Sequence, residues 1–236
     1  RLGKKSLRME LRKGDCHQKR KGSHNDCKAS PPAERHEFGI EYDKLTGIKG
    51  ERWHSHSMFL PSDTPVINSE WITMGQFHNI DYHKPPVNFD LKNNHFELVT
   101  RFHCIHPKKF NKTCYSNENS EAIKKIIDTS KLFGQWNDFV VNANWTSDMK
   151  KGFFKLWVNG ELVYHFVGRT VAPDDQLTVQ FGIYRGKARS SGDANHVIFY
   201  DEIRSAKSCK KMKLSQLGYS CKDLENQKIN KIYRLQ

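Results

Sequence analysis

The stretch that decides the fold is Phe-Phe-Lys-Leu-Trp-Val-Asn-Gly-Glu-Leu-Val-Tyr-His-Phe, residues 153–166. Residues 153–158 and 161–166 are short runs rich in aromatic and β-branched residues, which favours two β-strands. Asn159-Gly160 lies between them, and this step is a strong hairpin signal because both turn positions need a positive φ. The stretch therefore predicts an antiparallel β-hairpin.

Runs of the same kind lie on both sides of this hairpin, at residues 138–145, 177–184 and 196–203. They are short, they are separated by Gly, Asn, Asp and Pro, and no alternation of strands with helices connects them. The pattern predicts an all-β fold, either an antiparallel sandwich or a jelly roll. The length suits a single domain over residues 1–236, since all-β sandwiches of this size often remain undivided.

One segment has helical periodicity. Ile123, Ile126 and Ile127 follow an i, i+3, i+4 pattern behind Ser120, a candidate N-cap, so a helix is predicted at residues 120–132. Residues 105–135 as a whole are expected to form a long loop that carries this helix.

The chain is strongly basic. Its 236 residues include 39 Lys and Arg against 26 Asp and Glu, a formal net charge of +13. The excess is greatest at the two ends, where residues 1–30 hold ten basic and three acidic residues. A field of this sign favours a polyanionic partner, which can be nucleic acid, an acidic polysaccharide or an anionic membrane. For the terminal runs alone, solvated surface is an equally good explanation.

The six cysteines form three pairs that are close in sequence, which predicts three local disulfides and an oxidising compartment. A zinc site is the weaker alternative, because no pair has the C-x₂-C spacing. Glycosylation sequons at Asn111 and Asn144 agree with secretion, no apolar run is long enough to span a membrane, and the first residue is Arg, so removal of a leader is expected. The predicted disulfides are Cys16–Cys27, Cys104–Cys114 and Cys209–Cys221.

Polar residues two positions apart interrupt strand-like sequence at two places. Arg35 and Glu37 form one pair, and Gln76 and His78 form the other. In an extended strand, residues i and i+2 project from the same face, so each pair is expected to share a surface. Tyr184 follows in a later strand. A cation, an amide, an imidazole and a phenol on one sheet face are suited to acting on a substrate that bears a carboxylate.

One reaction that needs this set is β-elimination in a polymer whose uronic acid is linked through O4. The C5 proton is weakly acidic while the neighbouring carboxylate is charged, so an enzyme must neutralise the carboxylate, place a base near C5 and protonate O4. Arg35 and Gln76 suit the first task, His78 the second and Tyr184 the third. Arg185 beside Tyr184 is expected to lower the pKa of the phenol.

The chain resembles the jelly-roll polysaccharide lyases, a group that includes alginate lyases, glucuronan lyases and small heparin lyases. The likeness lies in the order of short motifs over most of the chain. These are Arg35-His36-Glu37-Phe38, Glu51-Arg52-Trp53, Ser57-Met58-Phe59-Leu60-Pro61, Gly75-Gln76-Phe77-His78, Pro85-Pro86, Trp136-Asn137-Asp138-Phe139-Val140, Leu156-Trp157-Val158-Asn159-Gly160, Phe181-Gly182-Ile183-Tyr184-Arg185 and Tyr200-Asp201-Glu202-Ile203-Arg204.

The resemblance implies a β-jelly-roll, concanavalin-like sandwich of two antiparallel sheets with an open groove. It also implies that Gln76, His78 and Tyr184 form the catalytic centre, with Arg35 beside the substrate carboxylate. Relatives often carry an aromatic-x-Lys pair before the tyrosine strand, where this chain has Thr178 and Gln180. Tyr184 must then fill the tyrosine role alone, and whether it or His78 abstracts the proton stays open. The missing lysine weakens any transfer of heparin specificity.

Further residues are expected to line the groove and bind substrate, although a structural role competes for each aromatic and histidine. Glu37 is expected to orient Arg35 through an ion pair. His54 and His56 also place two imidazoles on one face, as a metal site would, but no third ligand is evident, so no metal is assigned. The candidate substrate-binding residues are Arg185, Glu37, Trp53, His54, His56 and Lys187.

No cofactor is expected for the chemistry. A structural Ca²⁺ at Asp174-Asp175 is possible, since some relatives hold calcium, but a turn with two solvated carboxylates competes with it. The expected function is a secreted polysaccharide lyase with an acidic polysaccharide as its partner, no nucleic-acid or membrane partner and a monomeric state. The alternative is a non-catalytic, lectin-like module that binds acidic glycans. Nucleic-acid binding is disfavoured because no recognised nucleic-acid motif is present.

Overall fold

The computed structural model describes residues 1–16, 25–28, 32–40, 47–65, 72–80, 84–92, 95–105, 123–173, 175–186 and 194–235. These residues form thirteen strands, two short α-helices and several 3₁₀ turns. The strands are β1 (Leu7–Leu11), β2 (Ala33–Ile40), β3 (Gly50–Phe59), β4 (Ile72–Asn79), β5 (Val87–Lys92), β6 (His95–Thr100), β7 (Ile123–Ile127), β8 (Trp136–Trp145), β9 (Phe153–Val158), β10 (Glu161–Val167), β11 (Leu177–Gly186), β12 (His196–Ala206) and β13 (Tyr233–Arg234). The helices are α1 (Cys209–Met212) and α2 (Cys221–Asn226).

The described strands form two sheets. Sheet A has seven strands in the order β1-β12-β3-β8-β9-β10-β13, and sheet B has six in the order β2-β11-β4-β5-β6-β7. Neighbouring described strands are antiparallel, apart from the two-residue pairing of β13 with β10. The predicted all-β jelly roll is therefore confirmed. In this topology β2, β11 and β4, which lie far apart in sequence, are adjacent in sheet B.

The hairpin predicted at residues 153–166 is present. Asn159 and Gly160 have φ values of 50° and 84°, and they connect β9 to β10. Along β10 buried and partly exposed residues alternate after Glu161, which is the pattern of a strand with one face against the core. The other three strands predicted outside the hairpin correspond to β8, β11 and β12.

The core fills the space between the two inner sheet faces with aromatic rings. The Phe77 ring of sheet B lies 6.2 Å from Phe154 of sheet A, and Phe89 lies 5.7 Å from Phe139 in the same way, with both pairs edge to face. All four side chains are at most 2% exposed. In these strands every second residue points into the core, and the residues between them point to the outer face of the sheet.

The predicted helix at residues 120–132 is wrong. Residues 123–127 form the strand β7, which pairs with β6 at the edge of sheet B, and a 3₁₀ turn follows at Thr129–Lys131. Isoleucine is β-branched and fits a pleated surface, and the free edge of β6 offers backbone hydrogen bonds that a short isolated helix cannot match. Residues 106–122, which hold the rest of the expected loop, lie outside the described residues.

Two of the three predicted disulfides, Cys16–Cys27 and Cys209–Cys221, are present, while Cys114 of the third lies outside the described residues. The second disulfide ties α1 to α2, and this segment packs on the outer face of sheet A, where Trp53 and Trp157 stack at 5.6 Å. Asn144, one of the two sequon residues, lies in β8 and donates a hydrogen bond to the carbonyl of Lys151. No helix in the described part of the chain is long and apolar enough to cross a membrane.

Candidate active site

The register of sheet B brings the predicted site residues onto one surface. Tyr184 of β11 lies directly opposite Arg35 of β2. On its other side β11 places Gln180 opposite Gln76 and Thr178 opposite His78 of β4. Directly paired residues share a face, and this one points away from the inter-sheet core. We call it the polar face, and it is defined by Arg35, Glu37, Gln76, His78, Gln180 and Tyr184.

Arg35 connects the strands of the polar face. Its guanidinium carbon lies 4.0 Å from the centroid of the Tyr184 ring, a cation–π contact. Its Nη1 donates to Oε2 of Glu37 at 3.3 Å, as expected for an ion pair that orients the arginine. Its Nη2 donates to Oδ1 of Asp26 at 3.2 Å, a contact that the sequence did not predict. The guanidinium is therefore held between a phenol ring and two carboxylates.

Gln76 extends this network to β4. Its side-chain nitrogen donates to Oε1 of Glu37 at 2.9 Å and to Oε1 of Gln180 at 2.8 Å. The side chain is only 3% exposed, so both hydrogen bonds are shielded from water. Gln180, which stands where relatives often have lysine, thus acts as the acceptor that fixes the Gln76 amide. Arg35, Glu37 and Gln76 are one connected unit.

His78 has a defined orientation at the edge of this unit. Its Nδ1 lies 2.6 Å from the carbonyl oxygen of Asn79. A carbonyl can only accept, so Nδ1 carries the proton and Nε2 holds the lone pair when the ring is neutral. His78 is partly exposed. A neutral imidazole in this tautomer can accept a proton at Nε2.

Burial changes the pKa values of two groups on the polar face, Glu37 and Tyr184. It raises the pKa of Glu37, and the neighbouring Arg35 charge and the Gln76 hydrogen bond offset part of that rise. Burial also raises the pKa of the Tyr184 phenol; Arg35 lowers it, while the negative charges of Asp26 and Glu37 raise it further. Tyr184 is therefore a protonated phenol at neutral pH, able to donate a proton.

A bulge in β11 sets the position of Tyr184. The pairing of β11 with β4 shifts between Phe181 and Tyr184, and the intervening Gly182 has a φ of 143°. A Cβ on Gly182 would lie 2.6 Å from Cα of Glu37, so only glycine permits this close approach of β2. The buried Tyr200 of β12 reaches across the core and donates from its hydroxyl to the carbonyls of Gly182 (3.0 Å) and Met74. Tyr200 thus satisfies backbone acceptors that the bulge leaves without a partner strand.

A family model described as polysaccharide lyase matches residues 1–204 of the chain. The chain belongs to the polysaccharide lyase family. Such enzymes cleave uronic-acid-containing polysaccharides by β-elimination, and the predicted enzyme class is confirmed. No sequence match was found among curated proteins.

Solved structures share the fold of this lyase at low identity. The endo-β-1,4-glucuronan lyase from the fungus Trichoderma reesei has a TM-score of 0.60 and 14% identity, covering 86% of this chain and 81% of that one. Alginate lyase A1-II′, a member of polysaccharide lyase family 7, has a TM-score of 0.54 and 11% identity, covering 85% and 79%. Alginate lyase AlgAT5 of family 7 has a TM-score of 0.51 and 15% identity, covering 85% and 77%.

Sequence reasoning missed a second polar group on the same face of the lyase. Thr73 of β4 pairs with Tyr184 on one side and with Asp90 of β5 on the other, and its hydroxyl donates to Asp90 at 2.7 Å. Asn88 donates to the Thr73 hydroxyl at 3.2 Å and accepts from Arg101. Burial raises the pKa of Asp90 to about 6. The signal for this group was present, because Asn88, Asp90 and Lys92 alternate with apolar residues along β5.

Arg185 lies away from the polar face, contrary to the prediction that it lines the substrate groove. It lies on the inner face of sheet B, is 1% exposed, and its Nε forms an ion pair with Oε2 of Glu34 at 2.7 Å. The prediction placed it beside the Tyr184 phenol, but adjacent residues of a strand project to opposite faces. The cation that contacts Tyr184 is Arg35.

Trp53, His54 and His56, also predicted to bind substrate, lie away from the polar face as well. Trp53 is covered by the C-terminal segment, while His54 and His56 are 3% and 6% exposed in the core. His56 stacks on Phe139 at 4.7 Å, and burial lowers the pKa of both histidines to about 3. They are therefore neutral, and the described residues contain no group of three or more His, Cys, Asp or Glu side chains that could hold a metal ion.

Two further expectations concern the ends of β11. Lys187, expected to bind substrate, and Asp174 of the candidate calcium pair lie outside the described residues. Asp175 is 6% exposed, and its Oδ1 accepts from the backbone nitrogen of Gln176 at 2.8 Å. This hydrogen bond is that of a turn carboxylate.

Proposed function

We propose that the polar face is the catalytic centre, and that it cleaves an anionic, uronate-containing polysaccharide by β-elimination. The observation that carries the proposal is the contact network of Arg35, Gln76 and Tyr184 across three strands, with His78 two residues from Gln76 on the same face. These are the groups that the reaction requires, and they come from three separate parts of the sequence. In this scheme Arg35 and Gln76 bind the substrate carboxylate, as the resemblance to lyases implies.

Glu37 marks where the substrate carboxylate enters. It accepts one hydrogen bond from Arg35 and one from Gln76, so an anion that displaces it gains both donors. Its raised pKa favours this exchange, because Glu37 can take up a proton and withdraw its charge from the incoming carboxylate. Neutralising the substrate carboxylate in this way makes the C5 proton more acidic.

The tautomer of His78 supports it as the base, and the protonated phenol supports Tyr184 as the acid. His78 accepts the C5 proton at Nε2, the C4–O4 bond breaks as the C4=C5 bond forms, and Tyr184 donates its phenolic proton to O4. The raised pKa of Tyr184 keeps it protonated until the leaving oxygen develops charge. The product is an unsaturated sugar at the new non-reducing end.

The substrate we propose is a non-sulfated polyuronate of the glucuronan or alginate type. The solved structures that share the fold include a glucuronan lyase and alginate lyases, and Gln180 replaces the lysine that would favour a more anionic, heparin-like chain. We further propose that the protein is secreted, because its disulfides require an oxidising compartment, and that it acts as a monomer, because the groups of the proposed centre all come from one chain. The net charge of +13 accelerates encounter with such a polymer.

The test is to incubate the protein with glucuronan, alginate, heparin and hyaluronan and to follow the ultraviolet absorbance of the new conjugated double bond. We expect a signal on glucuronan or alginate and little or none on heparin. Absence of a signal on all four polymers would contradict the proposal. A signal on heparin alone would refute only the substrate assignment.

The alternative is a lectin-like module that binds acidic glycans without cleaving them. Arg35 and Gln76 both donate to Glu37, and such a pair of donors can bind a carboxylate without any proton transfer. His78→Ala and Tyr184→Phe distinguish the two functions. For a lyase, each substitution lowers turnover by about 10²–10⁴-fold, since that is what a positioned acid or base contributes, while polymer binding stays close to wild type. Unchanged turnover in both variants would show that another group does the chemistry.

A further inference from the structure

Asp26 is a buried carboxylate that contacts the polar face through Arg35. It does not belong to any of the sequence motifs that predicted the site. Its side chain is 1% exposed, and it contacts Arg35 at two points. Nη2 of Arg35 donates to Oδ1 at 3.2 Å, and Nε lies 2.9 Å from Oδ2, with its N–H angled away so that this second contact is electrostatic. A carboxylate removed from water in this way needs a fixed partner, and Arg35 provides it.

We propose that Asp26 is a positioning residue for the elimination, which fixes the plane of the Arg35 guanidinium over Tyr184 and is itself held in place by the Cys16–Cys27 disulfide. The inference rests on the proposed function of the polar face. It assigns a role to a residue and to a disulfide that lie outside the Arg-x-Glu, Gln-x-His and Gly-Ile-Tyr motifs.

The short described segment that carries Asp26 is anchored through a disulfide. Asp26 opens a 3₁₀ turn, Asp26–Lys28, and the next residue, Cys27, is bonded to Cys16. On the other side of the disulfide, the carbonyl of Asp15 accepts from the backbone nitrogen of Arg35 at 3.0 Å. The disulfide therefore connects two segments that each touch Arg35, one through its backbone and one through its side chain.

The two contacts leave one part of Arg35 for the substrate. Asp26 engages Nε and Nη2, while Nη1 contacts Glu37, the carboxylate that we expect the substrate to displace. A guanidinium held on one edge by a hydrogen bond at Nη2 and an electrostatic contact at Nε presents its other edge in a constant direction. Without Asp26, the Arg35 guanidinium would sample more orientations, and binding of the substrate carboxylate would have to restrict them.

Asp26 also contributes charge. The groups that face Tyr184 are Asp26 from the loop, Arg35 and Glu37 from β2, and Thr73 from β4, with His78 further along β4 and Asp90 beyond Thr73 on β5. Asp26 offsets the positive charge of Arg35 beside the phenol. Its removal therefore favours the phenolate, whichever proton-transfer role Tyr184 has.

The experiment compares Asp26→Asn and Asp26→Ala with the wild-type enzyme on its best polyuronate, across a pH series. We expect kcat/KM to fall by about 10–100-fold in Asp26→Ala and by less in Asp26→Asn, because a displaced catalytic group costs up to about a hundredfold and asparagine keeps one acceptor. We expect the limb of the pH profile that depends on Tyr184 to move to lower pH in both. The matched control is Asp223→Asn, an exposed carboxylate in α2 on the outer face of sheet A, whose profile should equal that of the wild type.

The disulfides supply a second comparison. Cys16→Ala/Cys27→Ala should reproduce the loss of activity of Asp26→Ala, and Cys209→Ala/Cys221→Ala should lower the unfolding temperature without lowering kcat/KM in the folded enzyme. Circular dichroism identifies the temperature range in which each variant is folded. Wild-type kinetics and pH profile in Asp26→Asn, or equal kinetic effects of the two disulfide removals, would overturn the inference. Absence of elimination by the wild-type protein would instead refute the proposed function.

Discussion

Two arginines on neighbouring strands of sheet B have opposite surroundings. Arg35 of β2 lies on the polar face, partly exposed, between Asp26, Glu37 and the Tyr184 ring. Arg185 of β11 lies on the inner face, 1% exposed, and its partner is Glu34. Tyr184 and Arg185 are adjacent in sequence, yet one faces the proposed substrate and the other faces the core.

The difference lies in what each guanidinium is free to do. Arg185 donates from Nε to Glu34 and from Nη1 to the carbonyl of Ala194 and to Nδ1 of His196, all within the protein. Arg35 donates to Glu37, a group whose raised pKa allows it to give way. The buried Arg185–Glu34 ion pair is therefore expected to act in folding, and the Arg35–Glu37 ion pair, which a substrate carboxylate can replace, is expected to act in binding. The following predictions test that distinction.

The largest effect is expected from Arg185→Ala. It leaves Glu34 buried without its partner, which typically costs about 3–5 kcal/mol in the free energy of unfolding. Urea denaturation measures this loss. The double variant Glu34→Gln/Arg185→Met should recover part of the stability, since no buried charge remains. Arg185→Ala with wild-type stability, or with lost activity in a fully folded enzyme, would contradict the assignment of Arg185 to the core.

The next effect is expected from Arg35→Lys. Lysine keeps the charge but loses the fork that contacts Asp26 and Glu37, so kcat/KM should fall by about 10²–10³-fold, the usual result of losing one oriented donor to a developing anion. Steady-state kinetics on the best polyuronate measure this loss. Arg185→Lys, measured in the same assay, is the matched control and should retain most of its kcat/KM. A kinetic loss that is equal in both variants would remove the distinction between the two faces.

A smaller effect is expected from Tyr200→Phe, which removes the donor to the carbonyls of Gly182 and Met74 at the bulge. Stability should fall by about 1–3 kcal/mol, the cost of buried acceptors left unsatisfied, and kcat should fall because the bulge positions Tyr184. Tyr164→Phe is the matched control: the Tyr164 hydroxyl, also buried, contacts Thr100 across the sheets and lies away from the bulge. Its loss should affect stability alone. Unchanged kcat in Tyr200→Phe would show that the bulge holds its shape without the tyrosine.

The last prediction is a pH dependence of stability from His54 and His56, which is small over a single pH unit and accumulates as the pH falls. Their folded pKa values are about 3, below the unfolded value of about 6.5, so both are neutral in either state above that pH. As the pH falls from about 6.5 towards 3, only the unfolded chain takes up these protons, and the free energy of unfolding falls by about 1.4 kcal/mol per pH unit for each histidine. Asp90, with a folded pKa of about 6, acts in the opposite direction between about pH 6 and 4.

Urea denaturation at several pH values measures this slope. His56→Phe keeps an aromatic ring against Phe139 and removes one of the buried histidines whose pKa is lowered, so it should make the slope less steep. An identical slope in the variant and the wild type would show that His56 is accessible to protons in the folded state.

Much of the site could be predicted because strand alternation is local. The spacing of Arg35 with Glu37 and of Gln76 with His78 placed each pair on one face, and the register of β11 confirmed that the pairs share the same surface. Asn159-Gly160 predicted its hairpin because the turn chemistry requires only neighbouring residues. Where the physical rule spans two to four residues, the sequence was sufficient.

The rest depended on contacts between distant residues. A bulge in β4 places Thr73, rather than Met74, on the same face as Gln76, and strict alternation gives the opposite result. Strand alternation places His54 and His56 on one face, but it does not determine whether that face points to the core or to solvent. Histidine occurs in both environments, so the residue type does not decide it either. Asp26 contacts Arg35 although nine residues separate them in sequence, and strand alternation does not predict such a contact. Ile123 to Ile127 became a strand because the edge of β6 was available.

The most direct test of the account is a crystal structure of the Tyr184→Phe variant with an acidic oligosaccharide. We predict that a uronate carboxylate displaces Glu37 from Arg35 and Gln76, with C5 of the same sugar facing Nε2 of His78 and O4 facing the ring of residue 184. An oligosaccharide bound elsewhere, with the contacts of Arg35 to Glu37 and of Gln76 to Glu37 intact, would contradict the claim that the polar face is where elimination takes place.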